Sequence, residues 1–355
     1  MMKTLSLLLS TAMCALACAG AERKPNFVLF VTDDHDVGDL PILSADQAAD
    51  APAIGRLAKN GIVFERAYVT SAVCTPSRYT LYTGRYPGRS QGDTYRNRYP
   101  ETVQSNPGFI LDLEKDGTNL GAVLSKHGYV TGHVGKFHVG DDDKMEEFIP
   151  GFKNRFAGKD KSDIAEADEF FKLRQKAYEK YMTQVIGYDW AKNIYWHNME
   201  EPFRYHNPSW TLEAAFEFLE SNKERPFFLH YNTTLVHGPY NWEESIDHPM
   251  YSDAGRLDNI PDLPHVQNKA DMLEKSKRSK LQAQRTAGLV WLDNSVDTLV
   301  KKLDALGLLQ DTVFIYIADH GITGKSSMYE GGIRASMLMH CPSRIPAHTR
   351  AKHLV

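Results

Sequence analysis

The segment Asn26–Asp34, which reads NFVLFVTDD, determines the fold that we expect. A short run of mostly apolar residues is followed at once by Thr32 and two carboxylates. Such a run is typical of a strand that is buried on both faces of a parallel sheet. Ligands of open α/β sheets bind just outside the carboxyl ends of the strands, where Asp33 and Asp34 would lie. Taken alone, two aspartates after a strand are more typical of a turn or a helix cap.

Strands and helices are predicted to alternate along the chain. Further strands are expected at residues 62–64, 129–134, 226–231, 312–317 and 336–341, and helices at residues 52–60, 77–82, 119–127, 210–222 and 270–306, the last as one helix or two. This alternation predicts an α/β fold with a large mixed, mostly parallel sheet and helices on both faces. Polar residues that follow strand ends should then share one pocket. These residues are Asp33, Asp34, Lys136, His237, Asp319 and His320.

The pattern weakens between residues 140 and 206. The charge run Asp141–Asp143 is expected to be solvated. Aromatic residues crowd the stretch 188–210, and their position favours packing of a surface excursion against the core. Stacking of these rings on sugars is the alternative.

The first residues resemble a targeting segment. Met1–Lys3 gives a positive start, apolar residues follow, and the small residues 17–19 suit cleavage by a signal peptidase. We therefore expect residues 1–19 to be a signal peptide and the protein to be exported, to the periplasm or the medium. Lipoprotein anchoring at Cys18 is an alternative, although Ala15 replaces the leucine usual three positions earlier. No later apolar segment approaches membrane length.

Composition excludes some classes of protein. The formal net charge is -4 and no basic stripe is present, so nucleic acid is not an expected partner. Of four cysteines, only Cys74 and Cys341 would remain after signal removal. Exported proteins that depend on disulfides carry more cysteines, in pairs. A Cys74–Cys341 disulfide is the alternative to a reactive role for Cys74.

Cys74–Arg78, CTPSR, begins a set of motifs with a family resemblance. It fits C-x-P-x-R, the pattern at which sulfatases convert cysteine to formylglycine. The other pieces are TGR at 83–85, GYVTGHVGKFH at 128–138, ADHG at 318–321 and GKSSMYEGGIR at 324–334. One short motif can arise by chance, but the ordered set is specific. Over nearly the whole chain after the signal, it resembles the type I, formylglycine-dependent sulfatases of the alkaline-phosphatase-like superfamily.

The resemblance implies a divalent metal site. Its ligands would be Asp33, Asp34, Cys74 as formylglycine, Asp319 and His320. Carboxylate oxygens suit Ca²⁺, with Mg²⁺ as the second choice. His320 stands where many relatives carry asparagine, and because imidazole is not an ideal calcium ligand, the identity of the metal stays open.

The resemblance also implies roles in catalysis. Residue 74, as a hydrated aldehyde, would attack sulfur, and Arg78 would hold the hydrate. Lys136 and Lys325 would bind the sulfate oxygens and stabilise charge in the transition state. A lone lysine is usually just solvated, so both assignments depend on the motifs.

Two histidines would transfer protons. His237 would protonate the leaving alcohol, and His138 would accept a proton from the second hydroxyl of the hydrate. The sulfated intermediate would then release sulfate by elimination. His197 and His206 are candidates for substrate contact. The other histidines considered are interpreted as structural, namely His127, His133, His230 and His248.

The sequence departs from the family pattern in two places. Tyr82 stands where an aliphatic residue, Phe or Trp is usual. Relatives also continue into a smaller C-terminal domain, so residues 22–355 would be the catalytic domain, with that small domain absent or truncated. Tyr329–Gly332 is predicted to form a tight turn whose glycines take positive φ, with a structural role for Glu330.

The resulting hypothesis is a sulfuric ester hydrolase that acts on a sulfated carbohydrate or an aryl sulfate. It would depend on a formylglycine-generating or anaerobic sulfatase-maturing enzyme as partner. The enzymatic alternative is a phosphodiester or phosphonate monoester hydrolase of the same superfamily. A third hypothesis is an inactive fragment that binds sulfated glycans.

Overall fold

The computed structural model describes residues 23–43, 50–152, 164–277 and 283–355. The predicted signal peptide and the alternative lipidation site at Cys18 lie outside these ranges. Within them, no helix has both the length and the apolar character needed to cross a bilayer.

Eight strands form one central sheet, and two short strands pair separately. The strands are β1 Asn26–Thr32, β2 Ile62–Arg66, β3 Val130–Lys136, β4 Trp190–Tyr195, β5 Phe227–Asn232, β6 Tyr251–Ser252, β7 Gly255–Arg256, β8 Thr312–Ala318, β9 Met337–His340 and β10 Thr349–Leu354. The large sheet has the order β10-β2-β9-β8-β1-β5-β3-β4. In it, β9 is antiparallel to both neighbours, and the remaining pairs are parallel. The predicted mixed, mostly parallel sheet is confirmed.

Helices connect the strands and cover the sheet. They are α1 Pro52–Lys59, α2 Cys74–Thr83, α3 Asp93–Arg98, α4 Leu120–Lys126, α5 Asp142–Phe148, α6 Ile164–Tyr181, α7 Pro208–Asn222, α8 Trp242–Asp247, α9 Lys269–Ser276, α10 Ala283–Ala305 and α11 Glu330–Ile333. A π-helical turn, Met182–Ile186, extends α6. Short 3-10 turns occur at Val37–Asp39, Pro87–Arg89 and Leu309–Asp311.

The alternation of side chains along β1 divides the core into two layers. Val28 and Phe30 pack in one apolar cluster with residues of α7 and α10 such as Leu292. Leu29 and Val31 point to the opposite face, in a second cluster with residues of α2 and α6. The central strand is therefore buried on both sides, as expected of an apolar run in a parallel sheet.

The structure differs from the sequence analysis in several local features. The helix expected at 77–82 begins earlier, so Cys74 itself is its first residue. The stretch of weak pattern contains the 18-residue helix α6 and the strand β4. Asp141 is buried rather than solvated, because it caps α5 through Lys144 N and binds Lys115 Nζ at 2.6 Å.

The predicted turn at Tyr329–Gly332 is the short helix α11 instead. Gly331 and Gly332 do not have positive φ. Gly332 is required by close packing, because a Cβ there would lie 2.2 Å from the carbonyl oxygen of Gly324.

Candidate active site

The loops that follow four neighbouring strands meet at one edge of the sheet. Asp33 follows β1, Asp319 follows β8, Lys136 ends β3, and Asn232 ends β5. Backbone hydrogen bonds join these loops: Asp319 N donates to Thr32 O at 3.0 Å, and Asp33 N donates to Leu235 O at 2.8 Å. The residues predicted to share a pocket therefore converge at the carboxyl ends of parallel strands, and the space that they surround is called the pocket below.

Cys74 lies at the bottom of this pocket. Cys74 is only 1% exposed, and its Sγ lies 3.2 Å from His320 Nε2 and 3.6 Å from Asp33 Oδ1. A position at the start of a helix ordinarily favours the thiolate. Here burial, followed by the charges of Asp33 and Asp319, raises the pKa of the Cys74 thiol well above its usual value. As a thiol, this residue is a weak nucleophile at neutral pH.

Three carboxylates surround the sulfur. Asp33, Asp34 and Asp319 are all nearly inaccessible to solvent. Burial alone would raise the pKa of Asp33, but the charges of Lys136, His237 and Arg78 hold it well below its usual range. Asp33 is thus kept as a carboxylate.

The donor atoms fit a divalent metal ion. Asp33, Cys74, Asp319 and His320 each offer a ligand atom, and these atoms lie within 4.8 Å of one another. Nδ1 of His320 lies 3.0 Å from Gly321 O, so it carries the proton and leaves the Nε2 lone pair facing the cluster. Buried carboxylate oxygens of this kind suit Ca²⁺, whereas the imidazole would be the unusual member of the set.

Arg78 stands one helical turn after Cys74 and is completely buried. Its Nε donates to Asp319 Oδ2 at 3.1 Å, and its second terminal nitrogen lies 3.0 Å from the same oxygen. The other terminal nitrogen donates to Asn232 Oδ1 at 3.0 Å. The guanidinium fork is therefore fixed against the acidic cluster.

Two lysines approach the cluster from separate loops. Lys136 Nζ lies 2.5 Å from Asp33 Oδ2 and 2.6 Å from Asn198 Oδ1. Lys325 Nζ lies 2.7 Å from Asp34 Oδ1. The side chain of Lys136 is inaccessible, whereas that of Lys325 is 27% exposed, so Lys325 lies nearer the mouth of the pocket.

His237 and His138 lie on the pocket wall. His237 Nε2 is 3.5 Å from Asp34 Oδ2, and its Nδ1 is 2.6 Å from Gly238 O, which fixes the ring. The buried ring of His138 lies near the rings of Phe109 and His197, with centroid distances of 5.8 and 5.7 Å. Burial, followed by the positive charge of Lys136, lowers the pKa of His138 well below its usual value, so this ring is a neutral acceptor.

Direct contacts link all the predicted catalytic, metal-binding and sulfate-binding residues except His138, whose ring lies instead near those of Phe109 and His197. The two candidates for substrate contact differ: His197 is half-buried beside His138, whereas His206 is fully buried and bonded to Thr234 Oγ1 and Pro239 O. Most of the aromatic side chains of residues 188–210 are buried, as the packing interpretation predicted.

A supporting network around Arg285 was not predicted. Arg285 donates to Asp36 and Asp39 and to the carbonyl oxygen of Asp34. Asp36 also accepts from Ile322 N at 2.7 Å, which ties the loop that carries Lys325 to the loop that carries Asp34. The separation of Asp36 and Arg285 by 249 residues leaves no local signal in the sequence.

Asn198 and Asn232 were also missed. Asn232 is the last residue of β5 and directly follows the strand predicted at 226–231, so the rule that located Asp33 and Asp319 would have located it too. Asn198 follows β4, a strand that the sequence analysis did not identify.

Comparison with known proteins agrees with this geometry. The family model described as Sulfatase matches residues 25–355. The N-acetylgalactosamine-6-sulfatase of Canis lupus familiaris is 25% identical over 379 residues, which cover 96% of this chain and 62% of that protein. The crystal structure of Ps i-CgsB, at 25% identity, superposes with a TM-score of 0.59 and covers 94% of this chain and 69% of that chain.

A structure of an enzyme with a different named activity shares the fold. The phosphonate monoester hydrolase of Agrobacterium radiobacter has a TM-score of 0.53 at 16% identity, with 93% of this chain and 71% of that chain covered. The likeness at that identity concerns the fold alone. The chain spans less than two thirds of the length of the canine relative. From the family match over almost all described residues, together with the site geometry, we conclude that this chain belongs to the sulfatase family.

Proposed function

We propose that this protein hydrolyses sulfate esters at the pocket around residue 74. The observation that carries the proposal is the arrangement of Cys74, within C-x-P-x-R, against three buried carboxylates and His320. A thiol with a raised pKa suits neither nucleophilic attack nor release of sulfate. Conversion of Cys74 to formylglycine would supply a hydrated aldehyde, with one hydroxyl to attack sulfur and another to expel the sulfate.

The charges of the pocket suit a sulfate ester. Asp33, Asp34, Asp319 and His320 would hold a divalent cation, Ca²⁺ before Mg²⁺, together with residue 74. The cation would supply Lewis acidity toward the attacking hydroxyl and the sulfate oxygens. Lys136 and Lys325 then offer ammonium groups on the side of the pocket where charge develops on sulfate oxygens.

Two histidines would carry out the proton transfers of the proposed reaction. His237, 17% exposed and 3.5 Å from Asp34, stands near Lys325 at the mouth, where a leaving alcohol would depart. We assign it as the proton donor to that alcohol. His138 is buried and neutral, so it suits the removal of a proton from the second hydroxyl of the hydrate. Arg78 would hold that hydrate.

A sulfated carbohydrate is the substrate class that we favour. The canine relative is an N-acetylgalactosamine-6-sulfatase by name. In this chain, Phe109 is 65% exposed with its ring 5.8 Å from that of His138, and the ring of the half-buried His197 lies 5.7 Å from the same ring. An exposed aromatic face beside polar groups suits a sugar ring.

Export and maturation complete the proposal. Residues 1–19 would direct the chain to the periplasm or the medium. A formylglycine-generating or anaerobic sulfatase-maturing enzyme would modify Cys74.

The decisive experiment compares substrates and examines residue 74 in the same preparation. Protein from a host that has a maturing enzyme is assayed on an aryl sulfate and on an aryl phosphodiester. The mass of the tryptic peptide Ala67–Arg78 is measured in parallel. We expect faster sulfate turnover and a peptide that is lighter than the thiol form and reacts with hydrazide.

Other results would favour the rival functions. Faster cleavage of the phosphodiester would indicate a phosphodiester or phosphonate monoester hydrolase. Full modification with no turnover, combined with binding of a sulfated glycan, would indicate an inactive binding protein.

A further inference from the structure

A buried polar cluster behind the active site contains residues that catalysis does not use. Asn232 is completely buried, and its Oδ1 accepts from Arg78 at 3.0 Å. Its Nδ2 lies 3.2 Å from His133 Nε2. The hydroxyl of Tyr82 lies 2.6 Å from the same nitrogen. Tyr82 and His133 are also buried, so no solvent competes for these contacts.

The chemistry of arginine sets the direction of these hydrogen bonds. A guanidinium has donors and no acceptor. The group that faces Arg78 must therefore be the carbonyl of the Asn232 amide, which leaves the amide NH₂ facing His133. Since that NH₂ is a donor only, His133 Nε2 must be an acceptor.

The tautomer of His133 follows from this direction. Burial, followed by the positive charge of Arg78, lowers the pKa of His133 to about 3, so the ring is neutral at ordinary pH. A neutral ring with an accepting Nε2 carries its proton on Nδ1, which is buried and has no hydrogen-bond partner among the described residues. The Tyr82 hydroxyl then donates to Nε2, and its oxygen is left to accept a hydrogen bond from Asn232.

We propose that Tyr82, His133 and Asn232 form a positioning network that fixes the orientation of Arg78 toward residue 74. The network gives a role to Tyr82, the residue at which this sequence departs from its family. It rests on the proposed function only in that Arg78 would hold the reacting group. None of the three side chains needs to touch substrate.

The geometry is tested first by nuclear magnetic resonance, without any assay. Histidine labelled with ¹⁵N is incorporated, and the His133 signals are assigned by their loss in His133→Gln. We expect a neutral ring protonated at Nδ1 throughout pH 5–9. Removal of the hydroxyl in Tyr82→Phe should shift the Nε2 resonance. A ring protonated at Nε2, or one that titrates in this range, would overturn the network.

Tyr95→Phe is the matched control for Tyr82→Phe. Tyr95 is equally buried, but its hydroxyl has no hydrogen-bond partner among the described residues. Loss of that hydroxyl should leave the His133 signals unchanged. A shift of equal size in both variants would also contradict the proposal.

Kinetics then separate positioning from a structural role. Asn232→Leu should lower kcat for an aryl sulfate by about 10- to 100-fold while KM changes little, because the lysines at the sulfate are untouched. Asn232→Asp keeps an acceptor for Arg78 and should recover part of the loss. Unchanged kcat in a folded Asn232→Leu protein would exclude positioning. If the wild type hydrolyses no sulfate ester, the proposed function fails while the tautomer measurement still decides the network.

Discussion

The burial of Cys74 limits what its side chain can do. The carboxylates that suit a cation also disfavour a thiolate, so the same surroundings that make a metal site prevent thiol chemistry. Arg78 does not remove this effect, because it is already bonded to Asp319 and Asn232. The position therefore suits an oxygen nucleophile better than a sulfur one.

Substitution of Cys74 by serine is the corresponding prediction at the residue scale. Cys74→Ser should lower steady-state turnover of an aryl sulfate by about 1,000-fold or more, because a single hydroxyl cannot expel sulfate by elimination. Calcium binding, measured by calorimetry, should be largely retained. Cys341→Ser is the control, since Cys341 is also buried and unpaired but bonds Gln310 O, and it should keep its turnover. Full activity in Cys74→Ser would overturn the mechanism.

Site residues could be predicted from the sequence where a family motif lies at the end of a predicted strand. Asp33, Asp34, Asp319 and His320 directly follow apolar strands. The apolar runs predicted the strands, and the position just after each strand marked these residues as candidates. Arg285 lies within a helix, and its partners are distant in sequence, so nothing near it marks a role. Asn232 also follows a predicted strand, whereas the hydrogen bond of Tyr82 to His133 lies behind the pocket, where no linear pattern reveals it.

At the scale of elements, the strands with strong apolar runs were predictable, and the polar ones were not. β10 reads TRAKHL at the edge of the sheet and is largely exposed, so it carries no apolar signal. In α6, the buried positions Ala167, Phe171 and Tyr178 are interrupted by Arg174. Arg174 is itself buried and forms ion pairs with Glu200 and Asp253. Because a charged residue occupies one of the buried positions, the apolar periodicity of the helix is not visible in the sequence.

The close packing of α11 against the backbone of Gly324 predicts that Gly332→Ala lowers both stability and activity. Gly332→Ala should destabilise the protein by about 1–3 kcal/mol and lower kcat/KM, because the backbone at Gly324, next to Lys325, must move. Denaturant unfolding and turnover of an aryl sulfate measure the two effects. Gly55→Ala in α1 is the control: a Cβ there meets nothing within 4 Å, so a gain of up to about 1 kcal/mol is expected. An unaltered Gly332→Ala protein would contradict the packing argument.

The loop after β5 predicts a pH dependence of stability. Burial lowers the pKa of His206 to about 4, opposed by its hydrogen bond to Pro239 O. The unfolded state therefore binds this proton first, so the contribution of His206 is complete above pH 6.5 and is lost as the pH falls toward 4. Relative to His206→Gln, the wild type should lose about 2 kcal/mol between pH 7.5 and pH 5.

Urea unfolding of both proteins at the two pH values measures this difference. Equal pH dependence of the wild type and His206→Gln would show that His206 is not buried in its neutral form.

For the whole molecule, the proposed metal site predicts stabilisation by calcium. A ligand present at 100 times its Kd stabilises the folded state by about 2.7 kcal/mol, so Tm should rise with added calcium. Asp319→Asn should weaken that rise, because it removes a charged donor from the cluster. Asp293→Asn is the control, since Asp293 is a buried acid that binds the backbone at the start of α1. Equal calcium responses in all three proteins would place the cation elsewhere.

The burial of Cys74 implies that any enzymatic modification of this residue comes before folding. At 1% exposure, beneath side chains that come from four strand ends, residue 74 is out of reach of a second protein once the sheet has closed. Any enzyme that alters it has to find CTPSR while the chain is still open. Under the proposed function, maturation and folding then compete in time: a chain that folds first would keep its thiol, and the active fraction of a preparation would report which process was faster.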